Sequence, residues 1–137
     1  RINPEFKNLK YKHILKHLSK LDNSCNDIGL ISNKKILESG TSNIFFIKSN
    51  KIYSPKNQIY KGINYNFFKK KLGKIINQDI KVNSLNNYDE ILLIGSGKGV
   101  ASIKTIKDIN WKRKSLKFYK LLFNIYKKEI LKCPQYR

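Results

Sequence analysis

The stretch Glu38-Ser-Gly-Thr-Ser-Asn-Ile-Phe-Phe-Ile-Lys-Ser-Asn-Lys-Ile-Tyr-Ser-Pro55 decides how this chain reads. Residues 43–48 and 51–54 are rich in Ile, Phe and Tyr, and the polar pair Ser49-Asn50 parts them. That pattern predicts a hairpin, ended by Pro55. Directly before it stand a carboxylate, Glu38, and the small polar run Ser39-Gly40-Thr41-Ser42. A charge at the end of an apolar strand needs either solvent or a partner, and both readings are open at this point.

Working outward, residues 9–21 predict a helix, because Tyr11, Ile14, Leu15, Leu18 and Leu21 share one face. Residues 22–27 read as a loop. Strands at 28–32 and 36–37 flank an Asn33-Lys34 turn. Downstream, residues 62–77 predict a helix whose stripe is Phe68, Leu72, Ile75 and Ile76. A strand at 79–83, a turn at 85–89, a buried strand at 90–94 and a glycine loop at 95–99 follow. Residues 100–106 predict another strand. The last helix spans 115–132, with Ser115 as N-cap and Tyr119, Leu122, Phe123, Tyr126 and Ile130 inward. The expected fold is α+β, a mixed sheet with helices, as one domain over residues 1–137.

The 137 residues carry a formal net charge of +20. The cations are 26 Lys and 3 Arg. Arg is the better residue for bidentate phosphate and base contacts. The lysines are spread along every element, so the charge reads as composition bias, and no specific nucleic-acid partner is expected. A basic nucleic-acid-binding module stays as the non-enzyme alternative. No apolar run approaches the ~20 residues of a membrane span, and no signal peptide is visible, so a cytoplasmic protein is expected. The lack of Met anywhere leads to the expectation of a piece of a longer chain. Cys25 and Cys133 are read as reduced thiols. His13 and His17 lie four apart but on the polar face without a third ligand, so no metal is expected.

Gly95-Ser96-Gly97-Lys98-Gly99 invites a nucleotide-loop reading that fails on inspection. A Walker A loop needs Gly where Leu92 stands, and Ser or Thr where Gly99 stands. A dinucleotide fingerprint needs Gly where Val100 stands. What remains is either an ordinary tight turn or a backbone nest for an anion, with the Ser96 hydroxyl as an extra donor. Lys61-Gly62-Ile63-Asn64 opens a helix, whose first free N–H groups suit a phosphate. One carboxylate and two such turns suggest a site for a phosphorylated, nitrogen-containing ring.

Taken in order, Phe6-Lys7-Asn8-Leu9, Leu37-Glu38-Ser-Gly-Thr-Ser-Asn43-Ile-Phe, Tyr53-Ser-Pro55, Gly62-Ile63 and Asp89-Glu90-Ile-Leu-Leu-Ile-Gly95-Ser96 resemble the fold-type IV pyridoxal phosphate enzymes, the class IV aminotransferase family. That family includes branched-chain aminotransferases, D-amino-acid aminotransferases and 4-amino-4-deoxychorismate lyases. The resemblance implies pyridoxal 5'-phosphate as cofactor. It matches Lys7 to the catalytic lysine that binds the cofactor aldehyde and then moves the substrate proton. Glu38 matches the glutamate on the pyridine nitrogen. Gly62, Ile63 and Asn64 match the phosphate-holding turn, Ser96 a second phosphate donor, and Gly97 an amide near the substrate carboxylate. An amino-acid-like substrate and a homodimer of the full-length protein are implied as well.

There are departures. Asn64 and Tyr65 stand where Thr-Arg is frequent, and Lys10 where Asn is common in the lyase and D-amino-acid branches. The family's small N-terminal domain, which supplies an arginine to the phosphate, has no counterpart in these residues. The chain therefore resembles the C-terminal, cofactor-carrying domain, and the isolated piece is expected to be weakly active or inactive. The Lys7-Asn8-Leu9 pattern leans toward 4-amino-4-deoxychorismate lyase, with a branched-chain or D-amino-acid aminotransferase as the alternative.

Overall fold

The computed structural model describes Asn3 and residues 11–134. Five strands make its central sheet: β3 (Asn43–Lys48), β4 (Lys51–Pro55), β5 (Ile76–Gln78), β7 (Glu90–Gly95) and β8 (Gly99–Ser102). They lie in the order β5-β4-β3-β7-β8. A second sheet, of three strands, joins β1 (Gly29–Ser32), β2 (Lys35–Ser39) and β6 (Ile80–Lys81). The short strands β9 (Thr105–Ile106) and β10 (Trp111–Lys112) pair with each other. The helices are α1 (Lys12–Leu18), α2 (Ile63–Leu72) and α3 (Lys117–Ile130).

The central strands are covered on both faces, which explains their unbroken apolar runs. Side chains alternate across β3 and β7. Phe45, Ile47, Leu92 and Ile94 face one way and pack with Tyr65 and Phe68 of α2 and Leu122 of α3. Ile44, Phe46, Ile91 and Leu93 face the other way, against Ile36, Ile80, Leu85, Tyr88 and Trp111. Each large side chain buried this fully contributes roughly 1.5–3 kcal/mol. The buried indole is not left polar and alone: Trp111 Nε1 donates to the Tyr88 carbonyl at 3.2 Å.

The β3–β4 hairpin forms as expected. Ser49 and Asn50 both take positive φ, 49° and 57°, the conformation that a two-residue hairpin turn requires. Other expectations need correction. The helix expected over 62–77 stops at Leu72, because Gly73 takes the left-handed conformation (φ 70°) and caps it. Ile76, assigned to its apolar stripe, starts β5 instead, which pairs parallel with β4. The strand expected at 79–83 is only Ile80–Lys81, and residues from Val82 to Asn87 form a 3-10 helix. The strand expected over 100–106 breaks into β8 and β9 at Ile103 and Lys104. The N-terminal helix is shorter than expected and Leu15 is exposed, while Ile14 and Leu18 are buried. Residues 9 and 10 of that expectation lie outside the described residues.

Helix α3 also differs at its start. Its cap position is Leu116, without a side-chain cap. The buried carboxylate of Glu90 does the capping from β7: Oε1 accepts the Phe118 N–H at 2.8 Å, and Oε2 the Tyr119 N–H at 2.9 Å. Ser115 assists, donating its hydroxyl to Glu90 and accepting the Lys117 N–H. An acid at a helix N-terminus is favoured by both the free amides and the helix dipole. Phe123 and Ile130, expected inward, are exposed.

Candidate active site

Strand directions bring the candidate site residues that the structure describes to one end of the central sheet. β3 runs antiparallel to both β4 and β7, and Asn43 at its start is opposite Ile94 near the end of β7. The C-terminal ends of β4 and β7 therefore lie beside the start of β3. β4 leads through residues 56–62 into α2, so the first turn of α2 lies at this end too. β2 ends at Ser39, a tight turn before β3, where the Ser39 N–H donates to the Ser42 carbonyl.

Hydrogen bonds then join the pieces. The Asn43 carboxamide donates from Nδ2 to the Tyr60 carbonyl at 2.6 Å and accepts the Gly62 N–H on Oδ1 at 3.2 Å. It fixes the approach to α2 from both sides. Glu38 is 3% exposed, so its carboxyl group lies inside the protein and not in solvent. Its Oε2 accepts the Tyr60 N–H at 3.2 Å. Asn64 Nδ2 donates to the Gly95 carbonyl at 3.0 Å, tying the first turn of α2 to the end of β7. Gly95 is needed for a different approach, that of the turn between β2 and β3. A Cβ there would lie 2.6 Å from Ser42 Oγ.

Glu38, Gly62, Asn64 and the Gly95 turn are thus linked through a few hydrogen bonds. Ile63 contributes backbone, since its side chain is 77% exposed. Ser96 and Gly97 lie on the turn between β7 and β8. Lys7 lies outside the described residues. The arrangement offers a buried acceptor beside two glycine-bearing turns whose amides can face an anion. Among the described residues, no cluster of metal-ligating side chains occurs. Cys25 and Cys133 are unbridged and exposed. No helix among the described residues is long and apolar enough to cross a membrane. A concavity of about 770 Å³ lies at the far end of β2 from Glu38, by the Asn33-Lys34 turn.

Sequence reasoning did not assign roles to Asn43, Tyr60 and Asp27. Asn43 sits inside a motif that was read for its neighbours, and its partners are 17 and 19 positions away. Nothing local marks Tyr60, which contributes its backbone to Glu38.

The chain was compared with known proteins. The amino-transferase class IV family profile matches residues 1–106. No curated protein sequence gave a match. Among solved structures, the branched-chain amino acid aminotransferase of Thermobaculum terrenum in its holo form superposes with a TM-score of 0.75 at 18% identity, covering 93% of this chain and 45% of that one. The 4-amino-4-deoxychorismate lyase of Pseudomonas aeruginosa gives 0.74 at 13%, covering 93% and 49%. The branched-chain aminotransferase of Thermoproteus uzoniensis gives 0.73 at 17%, covering 88% and 43%. These likenesses carry the fold, and the chain spans about half the length of these structures. With most of its length inside the matched region, the chain belongs to the amino-transferase class IV family.

Proposed function

We propose that residues 1–137 are the cofactor-carrying C-terminal domain of a pyridoxal-phosphate-dependent enzyme, and that its reaction is that of a 4-amino-4-deoxychorismate lyase, releasing 4-aminobenzoate and pyruvate for folate synthesis. The observation that carries the reading is the buried Glu38 held beside the tied turns of Gly62–Asn64 and Gly95. The residues present fit the cofactor: a buried carboxylate suits a protonated ring nitrogen, and two amide-rich turns suit its phosphate. The Thermobaculum terrenum structure is in its holo form, and another branched-chain amino acid aminotransferase of the same fold is solved with pyridoxamine 5'-phosphate; both support the cofactor.

When bound, pyridoxal phosphate supplies an electron sink for the pair left at the substrate carbon. Glu38 would keep the ring nitrogen protonated. With the cofactor bound, the amides of Ile63 and Asn64 and the hydroxyl of Ser96 would hold the phosphate, Gly62, whose own N–H is given to Asn43, would shape that turn, and Gly97 would offer its amide to the substrate carboxylate. Lys7 would hold the cofactor through its aldehyde and, once freed, would serve as the base that carries the substrate proton. These steps are common to lyases and transaminases of the family. The Lys7-Asn8-Leu9 pattern favours the lyase. Branched-chain transamination is the second reading, favoured by two of the structures named above. The working enzyme is taken as a cytoplasmic homodimer acting on an amino-acid-like small molecule.

The test is spectroscopic. Adding pyridoxal phosphate to the full-length protein is expected to give the yellow absorbance of a lysine-bound cofactor, lost in Lys7→Ala. A band that persists in that variant removes Lys7 from its role. Product analysis with aminodeoxychorismate against amino-acid donors separates the two reactions. Tight, steeply salt-dependent nucleic-acid binding with no response to the cofactor would instead favour the binding-module alternative.

A further inference from the structure

The side chain of Asp27 is 8% exposed and gathers donors from three separate parts of the chain. Its Oδ2 accepts the Ser39 hydroxyl at 3.0 Å, the Thr41 hydroxyl at 2.5 Å and the Lys98 ammonium at 3.2 Å. Its Oδ1 accepts the Ile28 N–H at 2.8 Å. Lys98 Nζ also reaches the Asn26 carbonyl, at 3.5 Å. One acid therefore joins the loop before β1, the turn between β2 and β3 and the turn between β7 and β8. The contact with Lys98 spans 71 positions of sequence.

The β7–β8 turn is closed at its base by the pairing of Gly95 with Gly99. Ser96 and Gly97 are exposed, and a Cβ built on Gly97 would meet nothing within 4 Å. Outside that pairing, the turn is tied to its surroundings on both flanks, the Gly95 carbonyl accepting from Asn64 Nδ2 as well. At one end Gly95 lies against Ser42. At the other, Lys98 is anchored on Asp27. A loose turn must be ordered when it meets a ligand, which weakens binding, and a preset turn avoids that cost.

We infer that Asp27 is a positioning residue that, through Lys98, presets the Ser96-Gly97 turn for the cofactor phosphate. This rests on the proposed function, because it needs a phosphate at that turn. Asp27 touches neither cofactor nor substrate in this role. Its hold on the Ser39 and Thr41 hydroxyls braces the neighbouring turn against which Gly95 packs.

The experiment measures, on the full-length protein, the affinities for pyridoxal 5'-phosphate and for pyridoxal, which lacks the phosphate. Their ratio isolates the phosphate's contribution and is insensitive to the fraction of protein folded. In Lys98→Met the ratio is expected to fall about tenfold, with pyridoxal affinity unchanged, and Lys98→Arg should restore most of it. Asp27→Asn should lower the ratio in the same direction. If Lys98 instead touched the phosphate itself, freeing it from Asp27 would raise the ratio, and that result overturns the inference. An unchanged ratio in Lys98→Met overturns it too. A wild-type protein with no preference for the phosphorylated ligand is a different failure, since it removes the proposed function itself.

Discussion

Glu38 and Glu90 are both carboxylates withdrawn from water, at 3% and 1% exposure, yet their surroundings differ in kind. Glu90 opens β7 and receives the first turn of α3: two backbone amides and the Ser115 hydroxyl converge on it. It lies between sheet and helix, and its partners account for its burial. Glu38 stands near the end of β2, where three strand ends and the start of α2 meet, and it accepts the Tyr60 amide of the segment leading into that helix. The first acid serves the fold by joining two elements. The second sits where three strand ends and the start of a helix meet, the place proposed above for the cofactor. Burial of a charge therefore does not mark a functional residue by itself; the elements that surround it do.

That contrast can be broken by mutation. The largest stability effect is expected from Glu90→Ala, which strands the Phe118 and Tyr119 amides inside the protein. A loss of about 2–4 kcal/mol in denaturant unfolding follows, from losing charge-assisted bonds and a helix cap together. Cofactor affinity per folded molecule should hold. Glu38→Gln is expected to show the reverse: near-native unfolding, but turnover of the full-length enzyme reduced about a hundredfold or more, the range for a misplaced catalytic proton. Equal unfolding losses in the two variants would erase the distinction.

Asn43 sharpens it further. Asn43→Leu removes both the donor to Tyr60 and the acceptor for Gly62, with an expected cost of about 1–3 kcal/mol and weaker cofactor binding. Loss of stability with unchanged binding would move Asn43 to the side of Glu90. The smallest effect concerns the apolar face. Burial pushes the Tyr65 hydroxyl above its usual value. A raised value means that stability is complete below about pH 10 and is lost as pH rises through the shifted value. Tyr65→Phe should flatten that alkaline decline in melting temperature, at a cost at neutral pH of about 1 kcal/mol for the bond to Asn77. An alkaline decline as steep as wild type's would exclude Tyr65 as its source.

What the sequence made legible follows how far each interaction reaches along the chain. The hairpin at Ser49-Asn50 was readable because its turn and its strands are adjacent. The buried strand from Glu90 was readable because covering both faces demands an apolar run. The end of α2 was misread because the spacing of Phe68, Leu72, Ile75 and Ile76 continues a helical stripe, while Gly73 turns the backbone left-handed in between. The cap of α3 was misassigned to Ser115 because the dominant acceptor, Glu90, comes from 28 and 29 positions upstream. For the candidate site, Glu38, Gly62, Ile63, Asn64, Ser96 and Gly97 came from the family resemblance together with their local chemistry, and their roles stand as proposals. The braces that hold them, Asn43 and Asp27, bond across the chain, where no local pattern reports them.

The parallel pairing of β4 with β5 has a consequence for how this region can vary. Two strands that run the same way cannot be joined by a hairpin, so the chain must travel back along the sheet before β5 begins. α2 makes that return journey, and its positive pole is thereby delivered to the rim where β4 finishes. Insertions within residues 56–61 would alter how far that pole stands from the rim, but not which rim it serves, so long as β5 keeps its neighbour. The polarity of the anchor is inherited from strand direction, and residue changes in the loop cannot reverse it.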